Sequence, residues 1–385
     1  MNSREIFLLA GEASGDERGA ELIRALKQRD PSLLFSGMGG PQMRAEGMEI
    51  LADVSDLAVV GIIEVLKHYS VFSQTMQRLL VEVARRKPAA VIGVDYPGFN
   101  LRFLRKAHRL SSNPSPLISH LSPRLIQYIS PQLWAWHESR KWKMAEYLDL
   151  VLCIFPFEPS LYAETGLKAV YVGHPLASQS SLSPNCGEVL SPQSSVNRTE
   201  QLLAFFPGSR EKEIRSHMPV MRQLEAKLMA ARPQLHVAYA ASTEKAEWMI
   251  RSGAPICEIK PPSALLAEAK AGVVCSGTAT LESALAGLPI CVVYRVAWPT
   301  YWMGQALIRV PFLAMPNLLV ERQIVKEFIQ GDFSVEQVLP EVERLLDDPS
   351  ARQEITKGYA EVRVKLGHHH AAENAAREIL DLIRR

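Results

Sequence analysis

The stretch IFLLAGEASGD, residues 6–16, decides the fold of the first half of the chain. Its apolar run leads through a glycine-containing turn into a segment whose apolar residues recur at helical spacing. The stretch LLAFFPGSRE, residues 202–211, has the same order of features in the second half. A strand, a tight turn and a helix N-terminus form the opening unit of a doubly wound α/β domain. The repetition therefore predicts two such domains in tandem.

Short apolar runs alternate with longer amphipathic segments along the chain. The runs are IFLLA (6–10), AVIGV (90–94), LIQYI (125–129), LVLCIF (150–155), VYVG (170–173), LLAFF (202–206), HVAYA (236–240), GVVC (272–275) and ICVVY (290–294). Such alternation is typical of parallel sheets that helices cover on both faces. At 385 residues the chain is also too long for one ordinary domain. We expect an α/β fold with two tandem Rossmann-like, doubly wound domains, a cleft between them and C-terminal helices.

Changes in composition indicate the domain boundaries. The segment 176–201 contains seven serines and little apolar periodicity, which predicts a surface linker. The first domain is then 1–175 and the second is 202–333. The stretch 334–385 has helical periodicity without strand signals, and we expect its helices to pack back toward the first domain.

The composition excludes several classes of function. Lys and Arg number 43 against 41 Asp and Glu, so the formal net charge is +2 and no global field attracts nucleic acid. The five cysteines have no C-x-x-C spacing, which indicates neither a disulfide framework nor a zinc knuckle. The first apolar run is too short for a signal peptide or a membrane span. We expect a cytoplasmic protein without a nucleic-acid partner.

Two glycine-rich loops and one aspartate follow predicted strands of the first domain. Gly11–Asp16 and Gly37–Gly40 bring glycines to the carboxyl ends of strands, where parallel sheets bind ligands. Ser14 and Asp16 also suit a simple helix cap, and both interpretations stay open. Asp95 directly follows an apolar run. It is the candidate general base, with a turn-capping aspartate as the alternative.

The second domain has two loops of a phosphate-binding type. Ser209 and Arg210 lie at a helix start in PGSRE (207–211), and SGTATLES (276–283) lies between a predicted strand and a helix. Backbone N–H groups at a helix start attract a pyrophosphate, and a guanidinium adds charge-assisted hydrogen bonds. Glu282 can accept hydrogen bonds from ribose hydroxyls or can simply complement the helix dipole. No D-x-D triplet occurs, so we expect no metal ion and no cofactor.

Two further segments each have two interpretations. Residues 130–143, SPQLWAWHESRKWK, interleave tryptophans with basic residues, which suits either the core or a surface for sugars and phosphates. Residues 59–83 carry apolar residues on one helical stripe, and Ile63, Leu66 and Val71 lie off that stripe. Beside basic residues, these three side chains suit either the core or the surface of a bilayer.

Ten segments in collinear order closely resemble the lipid-A-disaccharide synthase family. They are AGEASGD (10–16), GMGGPQMRAEG (37–47), VVGIIEVL (59–66), VDYPGFN (94–100), YISPQLWAW (128–136), PFE (156–158), VGHPL (172–176), PGSRE (207–211), SGTATLE (276–282) and MPNLL (315–319). Each segment alone is weak evidence, but the ordered set is specific and covers nearly the whole chain. The resemblance implies an inverting, metal-independent glycosyltransferase of the two-Rossmann-domain type, GT-B, at the cytoplasmic membrane of bacteria that have an outer membrane.

The resemblance also implies the substrates. The donor would be UDP-2,3-diacylglucosamine and the acceptor 2,3-diacylglucosamine 1-phosphate. The products would be the β-1,6-linked lipid A disaccharide 1-phosphate and UDP. The membrane surface would be a peripheral partner, in contact with Ile63, Leu66 and Val71. A homodimer is one of the oligomeric states compatible with the sequence.

Site residues follow from the matched motifs. Asp95 would be the general base that takes the proton from the 6-hydroxyl group of the acceptor. Residues that would bind the UDP part of the donor are Ser209, Arg210, Ser276, Gly277, Thr278, Thr280, Glu282 and Asn317. Residues that would face the acceptor or the cleft are Ser14, Asp16, Gly39, Asn100 and Trp136.

Two positions depart from the family pattern, and two other functions remain as alternatives. Gly98 stands where many members have a second acid, and His137 follows WAW where Arg or Gly is expected. An isomerase similar to UDP-GlcNAc 2-epimerase would share the fold, but it would not need the apolar segment 59–72 or the aromatic stretch Trp298–Trp302. A non-catalytic nucleotide-sugar sensor is disfavoured by the presence of Asp95.

Overall fold

The computed structural model describes residues 4–54, 65–112, 123–135, 137–178, 202–253, 257–298, 301, 310–367 and 370–384. The chain forms two compact units, Met1–Ser178 with His368–Arg385, and Gln179–Gly367. It therefore leaves the first unit once and later returns to it. Most of the serine-rich segment 176–201 and of the 111–123 insertion lies outside the described residues.

The first unit is built on a seven-stranded parallel sheet. Its strands are β1 (Glu5–Ala10), β2 (Leu34–Gly39), β3 (Glu49–Asp53), β4 (Ala90–Val94), β5 (Arg124–Tyr128), β6 (Leu150–Cys153) and β7 (Ala169–Tyr171). Their order in the sheet is β3-β2-β1-β4-β5-β6-β7. The direction of winding therefore reverses between β1 and β4. Doubly wound sheets bind ligands at such a switch point, beyond the carboxyl ends of the strands.

Helices cover both faces of this sheet. They are α1 (Ala13–Arg29), α2 (Pro41–Ala45), α3 (Val65–Arg86), α4 (Pro97–Ser112), α5 (Arg140–Ala145) and α6 (Glu158–Tyr162). Successive side chains of a strand point to opposite faces. Ile6 and Leu8 of β1 accordingly share a core with Leu22 of α1, and Phe7 packs on the other face with Phe103 of α4.

The second unit repeats this plan with a six-stranded parallel sheet. Its strands are β8 (Leu202–Phe206), β9 (His236–Ala240), β10 (Glu258–Lys260), β11 (Ala271–Cys275), β12 (Ile290–Tyr294) and β13 (Glu327–Ile329). Their order is β10-β9-β8-β11-β12-β13, so the switch point lies between β8 and β11. Its helices are α7 (Glu211–Ala231), α8 (Glu244–Gly253), α9 (Pro262–Glu268), α10 (Thr278–Ala286), α11 (Met315–Val320), α12 (Val335–Asp347) and α13 (Pro349–Leu366).

The C-terminal helices divide between the two units. Helices α12 and α13 contribute Val338, Val342 and Tyr359 to the core of the second unit. Helix α14 (Ala371–Ile383) contributes Ile379 and Leu380 to the core of the first unit. From the sequence we expected all the helices of 334–385 to pack toward the first domain. Of the helices described there, α14 does so, and α12 and α13 pack in the second unit. Apolar stripes on helices show that they pack, but not on which sheet.

The two parallel sheets with interleaved helices confirm the predicted α/β class. Both sheets have the strand order of a doubly wound fold. Among the helices that the structure describes, none combines the length and the apolarity needed to cross a membrane.

Candidate active site

The loops after β1 and β4 meet at the switch point of the first sheet. The ring of Tyr96 lies over the backbone of Gly11, where a β-carbon would overlap the ring. Glycine is therefore needed at position 11 for the close approach of the two loops. This contact brings Asp95 beside the Gly11–Asp16 loop, at the sheet edge where the sequence places both.

Asp95 lies in a strained turn. Its φ is 49° and that of Tyr96 is 42°, both in the left-handed region that residues with a β-carbon rarely adopt. Each such residue costs roughly 1–3 kcal/mol. The Asp95 N–H donates to the Tyr128 carbonyl oxygen at 2.9 Å, so the turn begins where the sheet ladder ends. Strain of this kind clusters at active sites, where the direction of a side chain matters.

Asp95 is partly buried. Burial raises its pKa above the ordinary value of 3.8, and the negative charge of Glu12 raises it further. A hydrogen bond with the Tyr96 backbone N–H lowers the pKa and opposes these two effects. A general base works best when its pKa approaches the working pH. The surroundings therefore shift the pKa of Asp95 in the direction that base catalysis favours.

Two buried amide side chains hold the backbone of this turn. Asn100 Nδ2 donates to the Asp95 carbonyl oxygen at 2.7 Å, and Gln127 Nε2 donates to the same oxygen at 3.0 Å. Both side chains are fully buried. Asn100 thus supports the turn from within the protein, whereas the family motif implied a position that faces the acceptor or the cleft. Gln127 is absent from the sequence candidates because it is a single polar residue in an apolar run.

The other acceptor-side candidates differ in their surroundings. Asp16 is 2% exposed. Its carboxylate accepts three backbone N–H groups at the start of α2, of which Gly40 is the nearest at 2.7 Å. Asp16 therefore caps α2, a different helix from α1, which follows its own turn and which the sequence suggested it would cap. Ser14 is exposed, Gly39 is buried at the end of β2, and Trp136 lies outside the described residues.

The loop after β11 in the second unit has both exposed and internal groups. Gly277 and Thr278 are exposed at the N-terminus of α10, and Gly277 has a φ of 148°. The buried Thr280 hydroxyl donates to the Gly277 carbonyl oxygen at 2.8 Å and accepts the Met315 N–H at 3.2 Å. The Ser276 hydroxyl donates to a backbone carbonyl oxygen at 3.0 Å. Thr280 and Ser276 therefore shape the loop, and Gly277 and Thr278 form its exposed surface.

The loop after β8 exposes a guanidinium group at the start of α7. The side chain of Arg210 is 79% exposed, with the Glu213 carboxylate 3.4 Å away. The backbone N–H groups of Arg210 and of the exposed Ser209 each donate to Glu213 at 3.2 Å. A carboxylate of the protein therefore occupies the place where a helix start attracts an anion. Because the guanidinium group is largely exposed, its ion pair with Glu213 contributes at most about 1 kcal/mol.

Two more donor-side candidates differ in their contacts. Glu282 is half-buried in α10. Asn317 is fully buried, and its amide nitrogen donates to the Val325 carbonyl oxygen at 2.8 Å. Its amide oxygen accepts the Ile324 N–H at 2.7 Å. Asn317 thus fixes the segment after α11 from inside the second unit, which differs from the ligand contact that the family motif implied.

His217 joins two loops at the carboxyl edge of the second sheet. Its Nδ1 lies 2.7 Å from the Pro207 carbonyl oxygen, and its Nε2 accepts the Arg295 N–H at 2.9 Å. These bonds require a neutral ring with its proton on Nδ1. Burial lowers the pKa of His217, which keeps the ring neutral. The sequence gives no signal for this residue because both partners are backbone groups distant along the chain.

Two further expectations concern membrane contact and metal binding. Ile63 lies outside the described residues, as do the side chains of Leu66 and Val71 on α3, so the membrane contact stays a prediction. Within the described ranges, no group of three or more His, Cys, Asp or Glu side chains could hold a metal ion.

A family model with the description Lipid-A-disaccharide synthetase matches residues 6–382 of this chain. The chain belongs to this family. A lipid-A-disaccharide synthase of Myxococcus xanthus is 38% identical over 99% of this chain and 98% of its own length. The family resemblance that the ten sequence segments indicate is therefore confirmed, and the chain is a glycosyltransferase.

Solved structures of low sequence identity share the fold of this family member. The UDP-GlcNAc 2-epimerase of Neisseria meningitidis, bound to UDP-GlcNAc, has a TM-score of 0.61 at 10% identity over 99% of this chain and 100% of its own. CalG4, the calicheamicin glycosyltransferase, has a TM-score of 0.57 at 15% identity over 100% of this chain and 99% of its own. Both likenesses concern the fold alone, which is the GT-B fold predicted from the sequence. The epimerase is only a structural neighbour.

Proposed function

We propose that this chain transfers a 2,3-diacylglucosaminyl group from UDP-2,3-diacylglucosamine to the 6-hydroxyl group of 2,3-diacylglucosamine 1-phosphate. The products are the β-1,6-linked lipid A disaccharide 1-phosphate and UDP. The observation that carries this proposal is the match of the family model over residues 6–382. The partly buried carboxylate of Asp95, in its fixed turn, supports the proposal because the reaction needs a base for the acceptor hydroxyl.

Asp95 is the general base of this reaction. It takes the proton of the 6-hydroxyl group while that oxygen attacks the anomeric carbon of the donor. Attack from the side opposite to UDP inverts the configuration at this carbon, and UDP leaves with the electron pair of the broken bond. General base catalysis typically contributes about a hundredfold to a ten-thousandfold in rate.

The second unit binds the UDP part of the donor. Arg210 and Ser209 contact the diphosphate, together with Gly277 and Thr278 at the start of α10. Their exposure supports this role, as does the attraction of helix N-termini for anions. Glu282 accepts hydrogen bonds from the ribose hydroxyls. Other candidates of this unit, namely Ser276, Thr280 and Asn317, hold the binding loops in shape.

The lipid substrates favour a membrane surface as the place of reaction. We infer peripheral association with the cytoplasmic face of the inner membrane, through Ile63, Leu66 and Val71. Apolar side chains beside basic ones suit the boundary between acyl chains and headgroups. Replacement of Ile63 and Leu66 by Ser should weaken flotation with anionic liposomes, and unchanged flotation would contradict this contact.

The reaction can be tested with purified protein and both diacylglucosamine substrates. The wild type should form disaccharide and UDP in equal amounts, and Asp95→Asn should be slower by about a hundredfold or more. Asp149→Asn is the matched control, because the Asp149 carboxylate accepts the Leu125 N–H at 2.7 Å at the opposite edge of the same sheet. Its rate should stay near that of the wild type.

Two results would contradict these assignments separately. If the wild type forms no disaccharide, the proposed substrates are wrong. If Asp95→Asn reacts at the wild-type rate, the disaccharide synthesis stands but Asp95 is not its base.

A further inference from the structure

A buried polar cluster lies beneath the turn that carries Asp95. In the sheet register, Gly93 of β4 pairs with Gln127 of β5. A β-carbon at Gly93 would lie 2.8 Å from Gln127 Oε1 and 2.8 Å from the Cβ of Asn100. The missing side chain at Gly93 therefore makes the space that the amides of Gln127 and Asn100 fill. We call these two side chains the amide pair.

Gln127 holds two left-handed residues at once. Its Nε2 lies 3.0 Å from the Asp95 carbonyl oxygen and 3.1 Å from the Ile129 carbonyl oxygen. Asp95 has a φ of 49° and Ile129 has a φ of 69°. The chain thus turns into the left-handed region directly after β4 and directly after β5. The two hydrogens of this amide nitrogen are shared among these two carbonyl groups and that of Tyr128, which lies 3.3 Å away.

Asn100 reaches the same turn from α4. Its Nδ2 donates to Asp95 at 2.7 Å and lies 3.1 Å from the carbonyl oxygens of Leu9 and Val94. These acceptors are at the ends of β1 and β4, the two strands of the switch point. The Asp95 carbonyl oxygen therefore accepts from two amides, one on the neighbouring strand and one on the following helix.

Within the described part of the chain, the amide pair uses its nitrogens but not its oxygens in hydrogen bonds. Asn100 Oδ1 and Gln127 Oε1 are buried and have no hydrogen-bond partner among the residues that the structure describes. A buried amide oxygen without a partner destabilises a fold, but an apolar side chain here would leave the carbonyl oxygens of the turns without these donors. The amide nitrogens, in contrast, serve the carbonyl groups of the strained turns. The amide pair thus satisfies the backbone of the turns and leaves its own oxygens unpaired in the described ranges.

We propose that Gln127 is a positioning residue, which sets the direction of the Asp95 carboxylate through the hydrogen bond to the Asp95 carbonyl oxygen. This inference rests on the proposed function, in which Asp95 is the base. A fixed carbonyl group fixes the peptide plane, and the plane sets the direction of the Cα–Cβ bond. Gln127 itself does not touch substrate, because its side chain is fully buried.

The main test replaces the amide by an apolar side chain of similar length. Gln127→Met loses both donors, so the turn relaxes and the carboxylate moves. Misplacement of a reacting group by about 1 Å can cost about a hundredfold in rate. We expect kcat to fall by about tenfold to a hundredfold. The KM values of both substrates should change by less than about twofold, since substrate contacts remain.

The pH profile separates this role from a merely structural one. The acid limb of kcat/KM in the wild type reports protonation of the base. Burial raises the pKa of Asp95, and a relaxed turn exposes the carboxyl group to water. In Gln127→Met the acid limb should therefore move to lower pH. A loss of stability alone would leave the limb where it is in the wild type.

Ser36→Ala is the matched control for the loss of a buried hydrogen bond in the same sheet. Ser36 is 1% exposed, and its hydroxyl donates to the Glu5 carboxylate at 2.6 Å. The residue lies on β2, apart from the turn after β4. This variant should have a lower Tm, but its kcat and its acid limb should match the wild type.

Gln127→Glu gives a second test if Gln127→Met does not fold. A protonated carboxyl group at this position can still donate one hydrogen bond, whereas an ionised one cannot. The variant should therefore lose kcat as pH rises through the pKa of the new carboxyl group, a loss that the wild type lacks. Wild-type kcat at every pH in this variant would overturn the proposal.

Asp95→Asn, measured in parallel, separates the two possible failures. A wild-type kcat and acid limb in Gln127→Met, with an inactive Asp95→Asn, would overturn the positioning role and leave the base in place. A fully active Asp95→Asn would overturn the assignment of Asp95 as the base, and the positioning role of Gln127 would fall with it. A lower kcat with unchanged KM and a shifted limb, absent from Ser36→Ala, supports the proposal.

Discussion

The two units open with the same strand, turn and helix, but they use the polar groups of their loops differently. In the first unit, Asp16 and Asn100 are buried and hold backbone groups, so that one carboxylate, Asp95, stands in a fixed turn. In the second unit, the guanidinium group of Arg210 is exposed at a helix start, as is Thr278. The first arrangement suits a group that must react in one direction. The second suits the binding of an anionic ligand, because the exposed side chains can adjust to the ligand when it binds.

Arg210→Ala should have the largest effect on the second unit. Loss of one charged donor to the diphosphate should lower kcat/KM for the donor by about a hundredfold. The Tm should stay near the wild-type value, because an exposed ion pair contributes at most about 1 kcal/mol. Steady-state kinetics with varied donor concentration would measure the effect.

Arg215→Ala is the matched control for that loss. Arg215 lies on the same helix and pairs with Glu211 at 3.0 Å, with 68% of its side chain exposed. A similar loss of kcat/KM in both variants would indicate that the positive charge of α7 attracts the donor in general. It would contradict a specific contact between Arg210 and the diphosphate.

Two glycines, Gly93 in β4 and Gly272 in β11, should respond differently to alanine. A β-carbon at Gly93 would meet Gln127 Oε1 at 2.8 Å, whereas at Gly272 the nearest atoms are side-chain methyl carbons at 3.3 Å. Overpacking typically costs about 1–3 kcal/mol, which we expect for Gly93→Ala. Gly272→Ala should stay within about 1 kcal/mol of the wild type, because alanine also restricts the unfolded chain. Urea unfolding would measure the loss of stability in each variant. Equal losses would show that the packing around Gly93 is no tighter than that around Gly272.

Asp95→Asn should give a smaller effect of opposite sign, a gain in stability. The folded state raises the pKa of Asp95, so native stability falls as pH rises from 3.8 through the folded pKa, and the full loss is present above it. Asparagine carries no charge and tolerates the left-handed region well. The Tm of Asp95→Asn should therefore exceed that of the wild type at neutral pH, and the gain should shrink as pH falls toward the ordinary value of 3.8. A lower Tm at neutral pH would contradict the description of Asp95 as a partly buried charge.

The sequence predicts most of the two sheets for a physical reason. Fully buried parallel strands are apolar along their whole length, so β1, β4, β8 and β11 stand out as continuous runs. The strands β10 (EIK) and β13 (EFI) are short and contain charged residues, so no apolar run marks them. Asp95 was predictable as a site residue because it directly follows such a run.

The rest of the candidate site depends on contacts that no local pattern records. Gln127 matters because the register pairs it with Gly93, and a register is a property of two strands. Asp16 caps a helix that begins 25 residues later along the chain, at Pro41. Asn317 and His217 likewise bind backbone groups of other elements. A motif can mark such residues as important without showing whether they bind a ligand or hold a loop.

The return of α14 to the first sheet has a consequence for synthesis on the ribosome. Ile379 and Leu380 belong to the first core, yet they are made only after the whole second unit. At about 5–20 residues per second, the interval between Ser178 and Ala371 lasts roughly ten to forty seconds. During that time one face of the first sheet is covered by α1 but lacks the side chains of α14. The second unit is therefore the first to complete its core in a nascent chain, in the reverse of the order in which the two sheets are translated.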